Sequence, residues 1–155
     1  MSFRIQGLEA ARFAGLHRLD DEGLAMANIA RVRVSQKPSA PCRICLDDAE
    51  IGELVLLLNY EHLPVPGPYR SRHAIYVREH AVEYTPQRNE IPELLRSRLL
   101  SVRAYDTSGM MVDAEVVSGA DLAPVIERQF AEPIVAFVHL HNAKPGCFAA
   151  SVQRA

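Results

Sequence analysis

The sequence predicts an α+β fold, a mostly antiparallel sheet of about six to eight strands with two or three helices packed on it. Three observations carry this expectation. Short stretches of alternating apolar and polar residues recur along the whole chain, two pairs of them are arranged as hairpins about compact turns, and helical periodicity is confined to a few segments. Strands and helices do not alternate regularly, which argues against a parallel βαβ sheet. With 155 residues, one domain over residues 1–155 is expected, because a chain of this length buries one good core and not two.

Phe3, Ile5 and Gly7 alternate with polar neighbours and open the chain as a short strand, followed by a helical stretch near Glu9 to Phe13. A helix starts at Asp20, whose carboxylate can cap free amide groups while Asp21 and Glu22 complement the helix dipole. Leu19 and Leu24 are spaced as a hydrophobic staple across that start. Ile29 to Val34 reads as a strand, ended by Lys37-Pro38-Ser39-Ala40-Pro41. Glu53 to Tyr60 is the most continuously apolar strand and belongs inside a sheet, since both of its faces want burial. Pro64, Pro66 and Pro68 then impose a stiff loop without strand pairing. His73 to Val77 is the next strand, and Pro92 opens a short helix through Arg96.

Leu99 to Tyr105 and Met110 to Val117 form the clearest hairpin, around Asp106-Thr107-Ser108-Gly109. Its second strand sets Val112, Ala114 and Val116 against Asp113 and Glu115, which predicts an apolar buried face and a wet face. A helix from about Gly119 to Ala131 carries Leu122, Val125, Ile126 and Phe130 on one stripe and stops at Pro133. Ile134 to His141 and Cys147 to Gln153 make the last hairpin around Asn142-Ala143-Lys144-Pro145-Gly146.

Composition bounds the function classes. The formal net charge of -2 exerts no global pull toward nucleic acid or an anionic membrane. Of seventeen basic residues only Lys37 and Lys144 are lysines, so an arginine-rich cleft would favour anionic ligands; codon usage is the plain alternative. Three cysteines, an odd number, argue against a disulfide scaffold and fit a reducing compartment. No signal-like or bilayer-spanning apolar run is seen, so a cytoplasmic location without membrane partners is expected.

Chemistry concentrates in two places. Pro41-Cys42-Arg43-Ile44-Cys45-Leu46-Asp47-Asp48 delivers two thiols, but the segment leads into a strand and not a helix, unlike a redox-active thiol pair. In the last hairpin His139 and His141 are two residues apart on a strand and project from one face. If the five-residue loop closes in register, Cys147 lies opposite His141 and points the same way. Cys42, His139, His141 and Cys147 would then be able to hold zinc or iron. Set against this, histidines beside Phe137 and Val138 are ordinarily hydrogen-bonded core residues, and a free cysteine is ordinarily a small buried hydrophobe. Asn59, Tyr60, His62, Arg70, Arg72, His73, Arg78 and Asn142 add a polar set on strand ends and loops of the kind a small-molecule pocket requires. The sequence contains no phosphate-cradling loop, nucleophile elbow or dinucleotide fingerprint.

Several segments in combination carry a family resemblance. They are Pro41-Cys42-Arg43, Leu57-Leu58-Asn59-Tyr60-Glu61-His62, Pro68-Tyr69-Arg70, His73-Ala74-Ile75-Tyr76-Val77-Arg78-Glu79, Leu95-Arg96-Ser97-Arg98 and His141-Asn142-Ala143-Lys144-Pro145-Gly146-Cys147. Together they resemble the bacterial domain-of-unknown-function family 1203, whose pattern implies serine at the place of Cys45 and no established activity. Losing that thiol weakens the zinc reading. The leading expectation is therefore a metal-free protein that binds a small anionic ligand in a polar cleft, using Tyr60, Arg70, His73, His139, His141, Asn142, Cys42 and Cys147. The alternatives are a zinc or iron protein using Cys42, His139, His141 and Cys147, and a homodimeric interaction module pairing sheet edges.

Overall fold

A computed structural model describes the whole chain, Met1–Ala155. Eight strands form two antiparallel sheets: β1 (Phe3–Gln6), β2 (Ala30–Arg33), β3 (Leu54–Leu63), β4 (Ser71–Arg78), β5 (Leu99–Tyr105), β6 (Met111–Ser118), β7 (Phe137–Asn142) and β8 (Phe148–Arg154). The larger sheet has the order β1-β8-β7-β5-β6, and the smaller is β2-β3-β4 with the apolar β3 in its centre. Three helices accompany them, α1 (Asp21–Met26), α2 (Glu93–Arg96) and α3 (Leu122–Ala131), which makes the fold α+β as the periodicity predicts. The stretch near Glu9 shortens to one 3₁₀ turn at Ala10–Arg12, whereas Asp20 caps α1 as expected, accepting from the Gly23 amide at 2.8 Å. No helix is long and apolar enough to cross a membrane.

A ten-residue helix is marginal alone, so α3 depends on its apolar stripe. Leu122, Val125, Ile126 and Phe130 are buried against Leu100, Val102 and Ala104 of β5 and Val138 and Leu140 of β7, in a core of 19 buried residues. At about 1.5–3 kcal/mol per large side chain, these four contribute at most roughly 6–12 kcal/mol. The strand register then dictates the other face. Ser101 pairs with His141 and Arg103 with His139, so polar side chains emerge opposite α3. They face the smaller sheet, whose own core holds Leu56, Leu58, Ile75, Val77, Cys42 and Ile44.

Two expected registers fail, each for a local reason. In β6 the apolar and charged faces are inverted: Ala104 pairs with Asp113 and Val102 with Glu115, placing the acids on the α3 side. There Asp113 accepts from Gln129 and Glu115 pairs with Arg128, so the helix supplies the acids' partners and Val112 and Val116 stay exposed. In the last hairpin, Leu140 pairs with Ala150 but His141 pairs with Phe148, a slip of one residue between the two positions. Phe148, not Cys147, therefore stands opposite His141, because a one-residue slip exchanges the faces of a strand.

The loop Pro41–Cys45 is held from both sides. Cys42 bridges to Tyr76 in β4, the Arg43 amide donates to the Tyr76 carbonyl at 3.1 Å, and the Leu8 amide donates to the Arg43 carbonyl at 2.7 Å. Gly7 makes the last approach feasible. A β-carbon there would lie 2.5 Å from the Ile44 carbonyl oxygen.

Candidate functional site

Along an extended segment successive side chains point to opposite sides. Cys42 turns inward under β4, and Arg43 turns the other way, toward the β7–β8 turn. Arg43 as a whole residue is 1% exposed, its guanidinium included. It donates from Nε to the Phe148 carbonyl at 2.7 Å, from Nη2 to Cys147 Sγ at 3.0 Å, and from Nη1 to the Pro41 carbonyl. Three of the roughly five N–H bonds that a guanidinium offers are thus used. None reaches a carboxylate. Burial pushes the guanidinium's pKa down, opposed chiefly by Cys147 and Cys42.

Arg43 and Cys147 form part of the wall of an open cleft of about 730 Å³ at the junction of the two sheets. Arg98, Lys144, His73 and Asn142 also line it, and no aspartate or glutamate does. Arg98 is fixed by both oxygens of Asp48, each at 2.8 Å, and donates to the Leu94 carbonyl. Asn142 directs Nδ2 at Cys147 Sγ from 3.4 Å, and its Oδ1 is buried without a partner. The turn that presents these groups needs Gly146, whose φ of +76° lies in the left-handed region. The cleft therefore offers three cations, a thiol and an amide; Asp48 offsets Arg98, while Arg43 and Lys144 have no acidic partner.

A second cluster lies between the sheets. His62, near the irregular end of β3, meets His139 and His141, with ring centroids 5.6 and 4.9 Å away. Ligand-capable atoms of the three rings all lie within 4.8 Å of one another. Phe148 stacks on His62 at 5.2 Å and closes the cluster edge-on to the other two rings. His141 Nδ1 lies 2.9 Å from the Gly146 carbonyl. A carbonyl only accepts, so Nδ1 carries the hydrogen and Nε2 keeps the lone pair. Burial is the first cause holding all three imidazoles neutral. His62 is lowered to about 4, with Arg103 and His73 adding to the effect. His139 is lowered to about 3 with help from His62, and His141 to about 3 despite the opposing Gly146 carbonyl.

The match to known families is narrow. Residues 39–154 fit the model of DUF1203, described as a protein of unknown function. The chain belongs to the DUF1203 family. No curated protein and no solved structure matches it.

In this DUF1203 chain the eight residues singled out from the sequence are dispersed. His73, Asn142 and Cys147 line the cleft. His139 and His141 belong to the histidine cluster. Cys42 is fully buried beside Cys45, accepting from the Ile44 and Arg78 amides at 3.4 and 3.3 Å. Its thiol pKa is held down, mainly by the neighbouring Cys45 thiol, while that of Cys45 is pushed up. Tyr60 packs between Phe13 and Phe148, with its hydroxyl accepting from Arg12, and Arg70 pairs with Glu61 at the surface. The four-residue set Cys42, His139, His141 and Cys147 does not converge, because Cys147 faces Arg43 and Cys42 faces β4. Arg43, Arg98 and Lys144 of the cleft were not singled out from the sequence, and His62 was named only within a broader polar set. The signal for Arg43 and Lys144 was their place inside the Pro41-Cys42-Arg43 and Asn142-Ala143-Lys144-Pro145-Gly146-Cys147 segments.

Proposed function

We propose that this DUF1203 protein binds a small molecule bearing a carboxylate or phosphate in the cleft lined by Arg43, His73, Arg98, Asn142, Lys144 and Cys147. Arg43 carries the reading: a charged residue that is 1% exposed and has no carboxylate partner stands in the wall of a cleft without acidic residues. Burying a charge without a counter-ion is costly, and an anion beside it would offset that cost. The guanidinium fork suits a planar carboxylate or a phosphate, and Lys144 on the β7–β8 turn adds a solvent-exposed positive charge. The binding itself requires no catalytic step.

Thermal unfolding tests the proposal with phosphate, sulfate, acetate and malonate, each compared with chloride at matched ionic strength. A ligand at about 20 times its dissociation constant adds roughly 1.8 kcal/mol. That raises the melting temperature of a chain this size by roughly 4–7 °C. At least one of the four anions should do so in the wild type, with the gain reduced in Lys144→Ala and His73→Ala. Equal melting temperatures in all five salts would overturn the reading.

A further inference from the structure

The histidine cluster is not needed to explain the cleft. Six buried side-chain polar atoms of the chain have no hydrogen-bond partner, and three of them are His62 Nδ1, His139 Nδ1 and His141 Nε2. Buried polar atoms are ordinarily paired, and three imidazoles packed for shape alone would be expected to follow that rule. These three rings instead lie against one another, each with one buried nitrogen that has no hydrogen-bond partner in the protein. They are 9%, 6% and 1% exposed, so the shortfall is not made up by bulk solvent.

We propose that His62, His139 and His141 form a tri-histidine site for one divalent transition-metal ion of the zinc class. Neutral imidazole is the ligand such ions take, and it binds through the unprotonated nitrogen. The Gly146 carbonyl already fixes that nitrogen in His141 as Nε2, which is the outer hydrogen bond usual for a metal-bound histidine. Tetrahedral bonds of about 2.0–2.1 Å set ligand nitrogens roughly 3.3 Å apart. Closing from separations of up to 4.8 Å asks for ring rotations and small shifts, not a new fold. His139 and His141 come from β7 of one sheet and His62 from β3 of the other, so the ion would tie the two sheets together. Three protein ligands leave a fourth position open, as in catalytic zinc sites. Arg103 stands opposite His139 in β5, and its charge favours an anion such as hydroxide in that position.

The site rests on residues other than those of the anion-binding cleft, so either reading can fail alone. The test is metal analysis of protein purified without added metal, followed by chelation and titration of the folded protein with cobalt(II), read by its d–d absorption and by zinc competition. The expected result is one ion per chain, an intense tetrahedral-type cobalt spectrum, and at least about a hundredfold loss of affinity in His62→Gln and in His141→Gln. Circular dichroism verifies that each variant is folded. Cys42→Ser and Cys147→Ser should bind as the wild type does. A folded wild type that neither retains metal nor develops the cobalt spectrum overturns the proposal. So does a site lost in the cysteine variants but kept in His62→Gln.

Discussion

Lowering the pH from 7.5 to 5.5 in the presence of a chelator should destabilise the protein through the three clustered histidines. In the folded state His62 titrates at about 4 and His139 and His141 at about 3, against the ordinary 6.5. The unfolded chain then binds more protons than the folded one between these values, so stability is complete above 6.5 and falls as pH drops below it. At pH 5.5 each unfolded-state histidine is about nine-tenths protonated while its folded counterpart remains neutral, a cost of about 1.4 kcal/mol apiece and roughly 4 kcal/mol for three. That is a large share of a typical stability of about 5–15 kcal/mol. Urea denaturation at both pH values, for the wild type and for His62→Leu, His139→Leu and His141→Leu, measures it. Each substitution should remove about a third of the wild-type loss, and contributions from His17 and Cys42 cancel in the comparison. Variants with the same pH slope as the wild type would show that the imidazoles are not held neutral by burial.

Other perturbations follow from the same contacts. Arg98→Met leaves Asp48 buried beside an apolar side chain and should cost about 3–5 kcal/mol in urea, whereas Arg70→Ala breaks an exposed, solvent-screened pair and should leave the urea midpoint nearly unchanged. Gly7→Ala drives a β-carbon against the Ile44 carbonyl and should cost about 1–3 kcal/mol by the same assay. Gly146→Ala imposes a left-handed conformation on a β-carbon, a penalty of about 1–2 kcal/mol, and should weaken cobalt binding by disturbing the carbonyl that orients His141.

The fold was readable because strand and helix periods are local. Leu122, Val125, Ile126 and Phe130 announced both α3 and its buried face, and the proline cluster at 64–68 marked the end of β3. Asp113 and Glu115 misled because a carboxylate on a strand suggests solvent, yet Arg128 and Gln129 of α3 supply partners that strand alternation cannot show. The site was harder still. The slip between Leu140 and His141 removes Cys147 from the histidine face, and nothing in a five-residue loop announces it. Arg43 stands between two more conspicuous thiols, and its burial comes from packing against residues a hundred positions later. His62 joins His139 and His141 only when the two sheets meet, a tertiary fact with no local signature.

The proposed preference of the cleft for anions can be tested at Cys147 itself. Alkylation by iodoacetate and by iodoacetamide, followed at the Cys147 peptide by mass spectrometry, compares a negative with a neutral reagent at one sulfur. A net attraction of about 1 kcal/mol from Arg43 and Lys144 makes the iodoacetate-to-iodoacetamide rate ratio roughly fivefold higher at Cys147 than at free glutathione. The excess should shrink at high salt and in Lys144→Ala. A ratio equal to or below that of glutathione would contradict an electropositive cleft.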